Sequence, residues 1–176
     1  MRIIIIVVIG SLVASIKLCG QPLKDFSLYL NSKQVSKNAK DYYNNKFKAS
    51  DDGKTLSIID SLKSKNDETR PFYIFLVSRM MIKSDGALSE ALGDCKDFLE
   101  NHPDYAIDFL YSNNSLDNKI FVDNWAKTIA GEFAIDCEGK AIQCVNESLQ
   151  KTITKCRTDN QFKLTEFYQK VQNYCR

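Results

Sequence analysis

Six cysteines and a single histidine are the residues of this sequence with the most distinctive chemistry. The cysteines are Cys19, Cys95, Cys137, Cys144, Cys156 and Cys175. Cysteines can form disulfides, bind a metal ion or act as nucleophiles. No two of them form a C-x-x-C motif, and a structural zinc site needs four well-placed ligands. In an exported chain the cysteines therefore predict disulfides rather than a metal site.

The histidine and the paired aspartates are the candidates for acid–base chemistry. A Ser-His-Asp or Cys-His arrangement would have to use His102. His102 ends a predicted helix, where an imidazolium would instead offset the terminal carbonyl dipoles. Asp94/Asp97 and Asp104/Asp108 have helical spacing, and on exposed helix faces they are solubilising charges rather than acid–base pairs. No phosphate loop, G-x-S-x-G or H-E-x-x-H motif occurs, so we expect neither an enzyme nor a cofactor.

The N-terminal segment has the pattern of an export signal. The apolar run IIIIVVIGSLVAS follows Arg2, has the length of a signal-peptide core and is too short to span a bilayer comfortably. A buried strand is the alternative, but nothing downstream resembles a partner strand. We predict a signal peptide over residues 1–20 and a single all-helical domain over residues 21–176, either periplasmic or secreted.

The cleavage site decides the fate of Cys19. Cleavage near Gly20 is favoured and discards this cysteine, whereas cleavage after Ser15 keeps it. Cleavage before Cys19 would give a lipoprotein, although the charged Lys17 makes a poor lipoprotein box. A membrane association is expected only in that last case. In a eukaryotic secretory pathway, the N-x-S sequons at Asn113 and Asn146 would be candidate glycan acceptors.

The charge balance argues against a nucleic-acid binder. The whole chain has 24 Lys and Arg residues against 22 Asp and Glu residues. Removal of residues 1–20 takes away Arg2 and Lys17 and no acid, so the mature chain would have no net formal charge. Nucleic-acid binders normally carry a basic excess. The lysine-rich stretch over residues 21–50 is typical of a solvated helix surface, with a face toward an anionic partner as the alternative.

The apolar residues recur at intervals of three and four, which is helical periodicity. The segment over residues 71–82 is apolar nearly all round, which predicts a central buried helix, with a buried strand as the alternative. Residues 88–99 place their apolar side chains on one helical face. Further helices are predicted over residues 117–134, 140–155 and 161–175. Short connections imply antiparallel neighbours, so we predict an all-α bundle or a short stack of helical hairpins, stabilised by disulfides.

The helical geometry limits the disulfide pairings. Cys137 and Cys144 would be roughly 10 Å apart along one helix, and a disulfide needs α-carbons within about 7 Å. They should not bond each other unless the turn at Gly139 folds Cys137 back. An antiparallel hairpin of the last two helices brings Cys175 level with about residue 141. We therefore predict Cys144–Cys175 or Cys137–Cys175, with Cys95 or Cys156 bonded to the remaining partner.

This pairing scheme has two consequences. Closure of a loop of roughly 30 residues should stabilise the fold by about 3–4 kcal/mol in the loop-entropy account. If Cys19 is removed, two disulfides would leave one cysteine unpaired. That cysteine is either a small buried hydrophobe or the site of a dimer-forming disulfide.

Three functions are compatible with these observations. The first is a non-enzymatic module that binds another protein outside the cytoplasm, such as an immunity- or inhibitor-type protein. The second is a carrier of a small apolar ligand. The third is an enzyme that uses His102 and a nearby carboxylate. The residues predicted to line a carrier cavity, or else to pack in the core, are Phe72, Tyr73, Phe75, Met80, Met81 and Trp125.

Overall fold

The computed structural model of the chain describes residues 25–64, 66–84, 86–112 and 116–176, without the side chains of residues 116 and 117. The described residues form α-helices and short 3-10 helices and contain no strand. The predicted signal peptide over residues 1–20, Cys19 and the sequon at Asn113 lie outside the described residues. The predicted single domain over residues 21–176 stays a prediction.

Nine α-helices are formed by the described residues. They are α1 (Lys37–Tyr43), α2 (Gly53–Asp60), α3 (Arg70–Met81), α4 (Gly86–Ala91), α5 (Asp94–Asn101), α6 (Pro103–Leu110), α7 (Leu116–Asp136), α8 (Ala141–Ile153) and α9 (Gln161–Tyr174). The 3-10 helices span Phe26–Asn31, Ser61–Lys63 and Thr158–Asn160. The prediction of an all-α, disulfide-containing fold is confirmed.

Helix α3 is the central helix that the sequence predicts. Pro71 lies in its first turn, where a missing N–H group costs nothing. Most of its side chains are buried, and it contacts α1, α2, α6 and α7. Trp125 of α7 is fully buried and donates a hydrogen bond from Nε1 to Ser78 Oγ at 2.8 Å. Ser78 in turn donates to the carbonyl of Ile74 at 2.7 Å, so the polar groups at this helix contact are paired.

Helices α7, α8 and α9 pack on one another as the C-terminal part of the fold. Gly139 lies in the turn between α7 and α8 with φ at 81°, a left-handed conformation that glycine adopts without steric cost. Gln172 near the end of α9 donates to Asn146 in the first half of α8 at 2.6 Å, and Gln161 at the start of α9 donates to the carbonyl of Ile153 at the end of α8 at 3.4 Å. Helices α8 and α9 are therefore antiparallel, as the short connections predict.

One predicted element divides in two. The apolar face over residues 88–99 indicates a single helix, but the structure has α4, a turn at Leu92–Gly93, and then α5. Leu88, Leu92, Cys95, Phe98 and Leu99 are all buried on both sides of this break. The predicted apolar face is thus correct, while the helix is interrupted by a turn at Leu92–Gly93.

Candidate binding groove

A groove of about 450 Å³ lies between α7 on one side and the end of α3 together with α4 on the other. We call it the α7 groove. One wall is formed by Met81, Ile82, Ser84, Gly86, Ser89 and Glu90. The other wall is formed by the α7 residues Asn124, Lys127, Thr128, Gly131, Glu132 and Ile135. Its volume lies in the range of ligand sites, about 300–1,000 Å³.

Helix α7 can form this wall because its two faces differ. Trp125, Ile129 and Phe133 lie on its buried face. The groove residues recur at intervals of three and four along the opposite side, as one face of an α-helix requires. The same helix therefore packs against the core and presents a continuous stripe to the groove.

Gly131 leaves the α7 wall open. A β-carbon built on this residue would meet no atom within 4 Å. A glycine inside a helix is less favourable than alanine by roughly 0.5–1 kcal/mol. Nothing in the packing requires a glycine here, so this residue lowers helix stability and widens the groove.

Two isoleucines give the groove an apolar rim. Ile82 at the end of α3 is 43% exposed, and Ile135 on α7 is 67% exposed. Met81 is buried and also lines the groove. Large aliphatic side chains that line a concave surface and remain exposed are typical of contact surfaces for another molecule.

Glu132 supplies a carboxylate to the same groove. The side chain is half-buried, and no described residue places a hydrogen-bond donor or a cation on its carboxylate. Burial raises the pKa of Glu132, and the nearby carboxylate of Asp136 raises it further, while Lys96 acts in the opposite direction. Burial and the like charge of Asp136 are thus the two effects that disfavour ionisation of Glu132.

The lysines around Glu132 have other contacts. Lys96 forms an ion pair with Asp136 and lies over the ring of Phe133, at 5.2 Å from the centroid. Lys127 lies over the ring of Tyr174 on α9, at 5.5 Å. Neither ammonium group forms an ion pair with Glu132.

The residues predicted to line an apolar cavity are divided by the structure. Met81 lies in the α7 groove. Phe72, Tyr73, Met80 and Trp125 are buried in the core cluster, and Phe75 packs against it. Phe72 stacks on Tyr29 with centroids 5.1 Å apart, and Phe75 stacks on Phe26 at 4.3 Å. These rings contact one another as a packed aromatic cluster; a ligand cavity among them stays a prediction.

The predicted disulfide pairings are wrong. Cys137 is bonded to Cys144, with α-carbons 6.6 Å apart. Helix α7 ends at Asp136, so the two cysteines are not on one helix. The turn at Gly139 folds Cys137 back toward the first turn of α8, which is the condition under which this pair can form.

Cys175, Cys95 and Cys156 are free thiols, so the expectation of two disulfides is also wrong. The predicted level of Cys175 is correct, since Gln172 contacts Asn146 one turn earlier. Its Sγ, however, lies 3.9 Å from the carbonyl oxygen of Ala130 and therefore faces α7. Cys175 lies at the right level along α9 to reach Cys144, but its side chain points from α9 toward α7 instead of α8.

His102 lies at the junction of α5 and α6, away from the α7 groove. Burial lowers the pKa of this imidazole, and the nearby charge of Arg70 lowers it further. Both effects oppose the imidazolium form that the sequence analysis expects at this helix end, and that expectation stays a prediction. Arg70 itself is buried, pairs with Asp67 and lies over the ring of Tyr105 at 4.3 Å.

The second aspartate pair is structural rather than solubilising. Asp104 accepts hydrogen bonds from the backbone N–H of Arg157 at 3.1 Å and from Asn160 Nδ2 at 3.1 Å. Asp108 accepts from Arg157 Nη2 at 2.8 Å and from Asn160 Nδ2 at 2.8 Å. The pair fastens α6 to the turn that precedes α9. In the first pair, Asp94 binds Lys63 at 2.9 Å and Asp97 is exposed.

The described residues form neither a metal-binding cluster nor a membrane-spanning helix. Within the described parts of the chain, His, Cys, Asp and Glu side chains form no group of three that could hold a metal ion. In the same parts, every helix is too short or too polar to cross a membrane.

Apart from Met81, the sequence analysis missed the residues that form the groove, which include Lys127, Gly131 and Glu132. A signal for them existed in α7. Ile120 and Ile135 lie off the apolar stripe of Phe121, Val122, Trp125, Ile129 and Phe133, and a glycine interrupts the opposite face. The other wall could not be found in this way, because it depends on how α3 and α4 pack beside α7.

Comparison with known proteins adds no relative: the sequence matches no protein-family model, and neither a curated protein nor a solved structure matches the chain.

Proposed function

We propose that this protein is an exported, non-enzymatic helical binding module, of the inhibitor or immunity type, that holds a segment of another protein in the α7 groove. The observation that carries the proposal is the groove itself, opened by Gly131 and bordered by the exposed Ile82 and Ile135. The apolar N-terminal run and the Cys137–Cys144 disulfide are compatible with export.

The lining of the groove favours a peptide segment over a small apolar ligand. Apolar ligands are usually enclosed by predominantly apolar side chains. Here Ile82, Met81 and Ile135 share the lining with Glu90, Lys127 and Glu132. An amphipathic segment of a protein offers both kinds of group, as in helix-in-groove recognition.

Binding is also favoured over catalysis at this site. Neither His102 nor either aspartate pair lines the groove. Lys127 is engaged by the ring of Tyr174. The charged groups of the groove therefore act as contacts for orientation and selectivity in our proposal.

The test uses the purified, disulfide-bonded protein as bait for a phage-displayed library of random peptides. We expect selected peptides to lose most of their binding when Gly131→Leu fills the groove. Ala134→Leu is the matched control, because Ala134 is an exposed residue of α7 outside the groove lining. Circular dichroism and urea unfolding of both variants establish that the fold is retained.

Two outcomes would overturn the proposal. The first is that no peptide is selected, or that the selected peptides bind Gly131→Leu as well as wild type. The second is saturable one-to-one binding of N-phenyl-1-naphthylamine that is lost in Gly131→Leu while peptide binding is absent. That second result would indicate a carrier of small apolar ligands.

A further inference from the structure

Glu132 is a carboxylate that the fold partly buries without providing a partner. Gly93 lies directly against it, and the carboxylate oxygens are 2.6 Å from the position that a β-carbon on Gly93 would occupy. No described lysine, arginine or histidine lies within 4 Å of these oxygens. Burial of a charged group without a partner costs free energy. A bound cation would lower that cost.

The surrounding charges make a cation the favoured guest. Ionisable groups of four elements surround Glu132. They are Asp136 and Lys127 of α7, Asp94, Lys96 and Asp97 of α5, Glu90 of α4, and Lys63 of the 3-10 helix before α3. Carboxylates predominate in this set. The lysines are already engaged: Lys63 by Asp94, Lys96 by Asp136, and Lys127 by the ring of Tyr174. With Glu132 itself the set has five carboxylates against three lysines, so its formal charge is −2.

The apolar lining suits the stem of a basic side chain. Lysine and arginine carry three or four methylene groups that pack on apolar surface while the charged head reaches a polar group. Met81 and Ile82 on one wall and Ile135 on the other offer that surface. The space above Gly131 admits the stem, because no atom lies within 4 Å of the missing β-carbon.

We propose that the α7 groove selects a partner segment that presents a lysine or arginine side chain between aliphatic residues, and that Glu132 is the carboxylate that receives its cationic head. This inference rests on the proposed function, since it specifies the partner for the same groove. In this proposal Glu132 determines the preference for a cationic side chain, while Gly131, Ile82 and Ile135 determine the shape of the groove.

The experiment compares three probes of one size that differ in charge: hexylammonium, hexanol and hexanoate. Each is titrated into ¹⁵N-labelled protein and followed by amide chemical shifts. We expect hexylammonium to produce saturable shifts at residues 128–135 of α7 and hexanoate to produce none. Glu132→Gln should weaken hexylammonium binding roughly two- to five-fold, as expected for a partly exposed ion pair, and should leave hexanol binding unchanged.

Glu147→Gln is the matched control. Glu147 is an exposed carboxylate on α8, outside the groove, and its substitution removes the same charge. The inference is overturned if hexanoate binds as tightly as hexylammonium. It is also overturned if Glu132→Gln and Glu147→Gln have equal effects. Either result would show that any preference for the cation comes from net charge or is absent.

The library selection separates this inference from the proposed function. Selected peptides that depend on Gly131 but lack lysine and arginine would overturn the inference and leave the proposed function standing. Peptides that require both Gly131 and Glu132, and that contain a basic residue, support both. An absence of groove-dependent peptides overturns the proposed function, whichever small probe binds.

Discussion

Glu132 of α7 rests its carboxylate on Gly93, the residue at which α4 gives way to α5. The contact is possible only because residue 93 has no side chain. It brings α7 close to the start of α5, and the half-buried Glu132 also lines the groove. The same feature therefore serves packing and the electrostatic character of the groove.

The two glycines that border Glu132 should respond differently to alanine. Gly131 lies inside α7 with open space at its β-carbon, so Gly131→Ala should raise the free energy of unfolding by about 0.5–1 kcal/mol. At Gly93 a β-carbon would collide with the Glu132 carboxylate, which must move. Gly93→Ala should therefore raise the free energy of unfolding by less than Gly131→Ala does, or should lower it. Urea unfolding of both variants measures the difference, and equal gains would show that the Glu132–Gly93 contact has no energetic weight.

The pH dependence of stability should report on Glu132. Burial and Asp136 raise its pKa above the ordinary value of 4.5. A carboxyl group whose pKa is higher in the folded state than in the unfolded state stabilises the fold when it is protonated. This stabilisation is complete below the pKa of the unfolded state and is lost as the pH rises through the pKa of the folded state. Asp94 and Asp97 act in the same direction as Asp136, and Lys96 opposes them.

Glu132→Gln removes this penalty. We expect the variant to be more stable than wild type at about pH 7, with the difference disappearing as the pH falls to about 4. The measurement is urea unfolding across that range, with Glu147→Gln as the control for net charge. A constant difference at every pH would contradict the assignment to Glu132 ionisation.

The sequence predicts well those parts of the fold that depend on local pattern. The apolar run over residues 71–82 predicts the central helix α3, and the stripe that holds Trp125 predicts the core-facing side of α7. The side chains of both are buried. The single predicted helix over residues 88–99 failed at Gly93. An apolar face can continue across a break when the chain resumes on the same side of the core, so periodicity alone does not reveal the turn.

The groove depends on relationships that the sequence does not express. Glu132 meets Gly93 only because α5 packs beside α7, and Ile82 and Ile135 line one groove only because α3 packs beside the same helix. The cysteines show the same limit on a smaller scale. Spacing placed Cys175 at the correct level, but rotation about the α9 axis turned its sulfur to Ala130.

The disulfide should contribute less than the long-loop pairings would have done. Cys137 and Cys144 are seven residues apart, and the loop-entropy account gives about 2–3 kcal/mol for so short a loop. We expect the Cys137→Ser, Cys144→Ser double variant to unfold at lower urea concentration by that amount and to keep its helical circular dichroism. A loss of more than about twice this value would show that the disulfide also maintains the packing of α7 against α8.

Asp104 should be more important for stability than its sequence context suggests. It accepts hydrogen bonds from the backbone N–H of Arg157 and from the buried Asn160, whose Nδ2 also donates to Asp108. Asp104→Ala removes the acceptor of the Arg157 N–H and one of the two acceptors of Asn160, and should cost about 1–3 kcal/mol. Asp97→Ala is the matched control, because Asp97 is exposed, and a change within about 0.5 kcal/mol is expected. If both variants lose the same free energy of unfolding in urea, the hydrogen bonds of Asp104 do not stabilise the fold and both residues act only as solubilising charges.

The free thiols should react in an order set by burial. Burial raises the pKa of Cys95 and that of Cys175, and it raises the pKa of Cys156 to about 12 with help from Asp104. Cys175 is half-buried, whereas Cys95 and Cys156 are buried. Because alkylation requires an accessible thiolate, we expect iodoacetamide to modify Cys175 first in the folded protein and the other two only after unfolding.

Intact mass after alkylation measures this order and bears on Cys19 as well. Under denaturing, non-reducing conditions the thiols of Cys95, Cys156 and Cys175 should all be alkylated while Cys137–Cys144 stays closed. A chain that begins at Gln21 would then carry no further adduct. An additional alkylated thiol would place Cys19 in the mature protein, and a mass increase from acyl chains would make it a lipoprotein. Rapid alkylation of Cys95 in the folded protein would contradict its burial at the contact of α5 with the core.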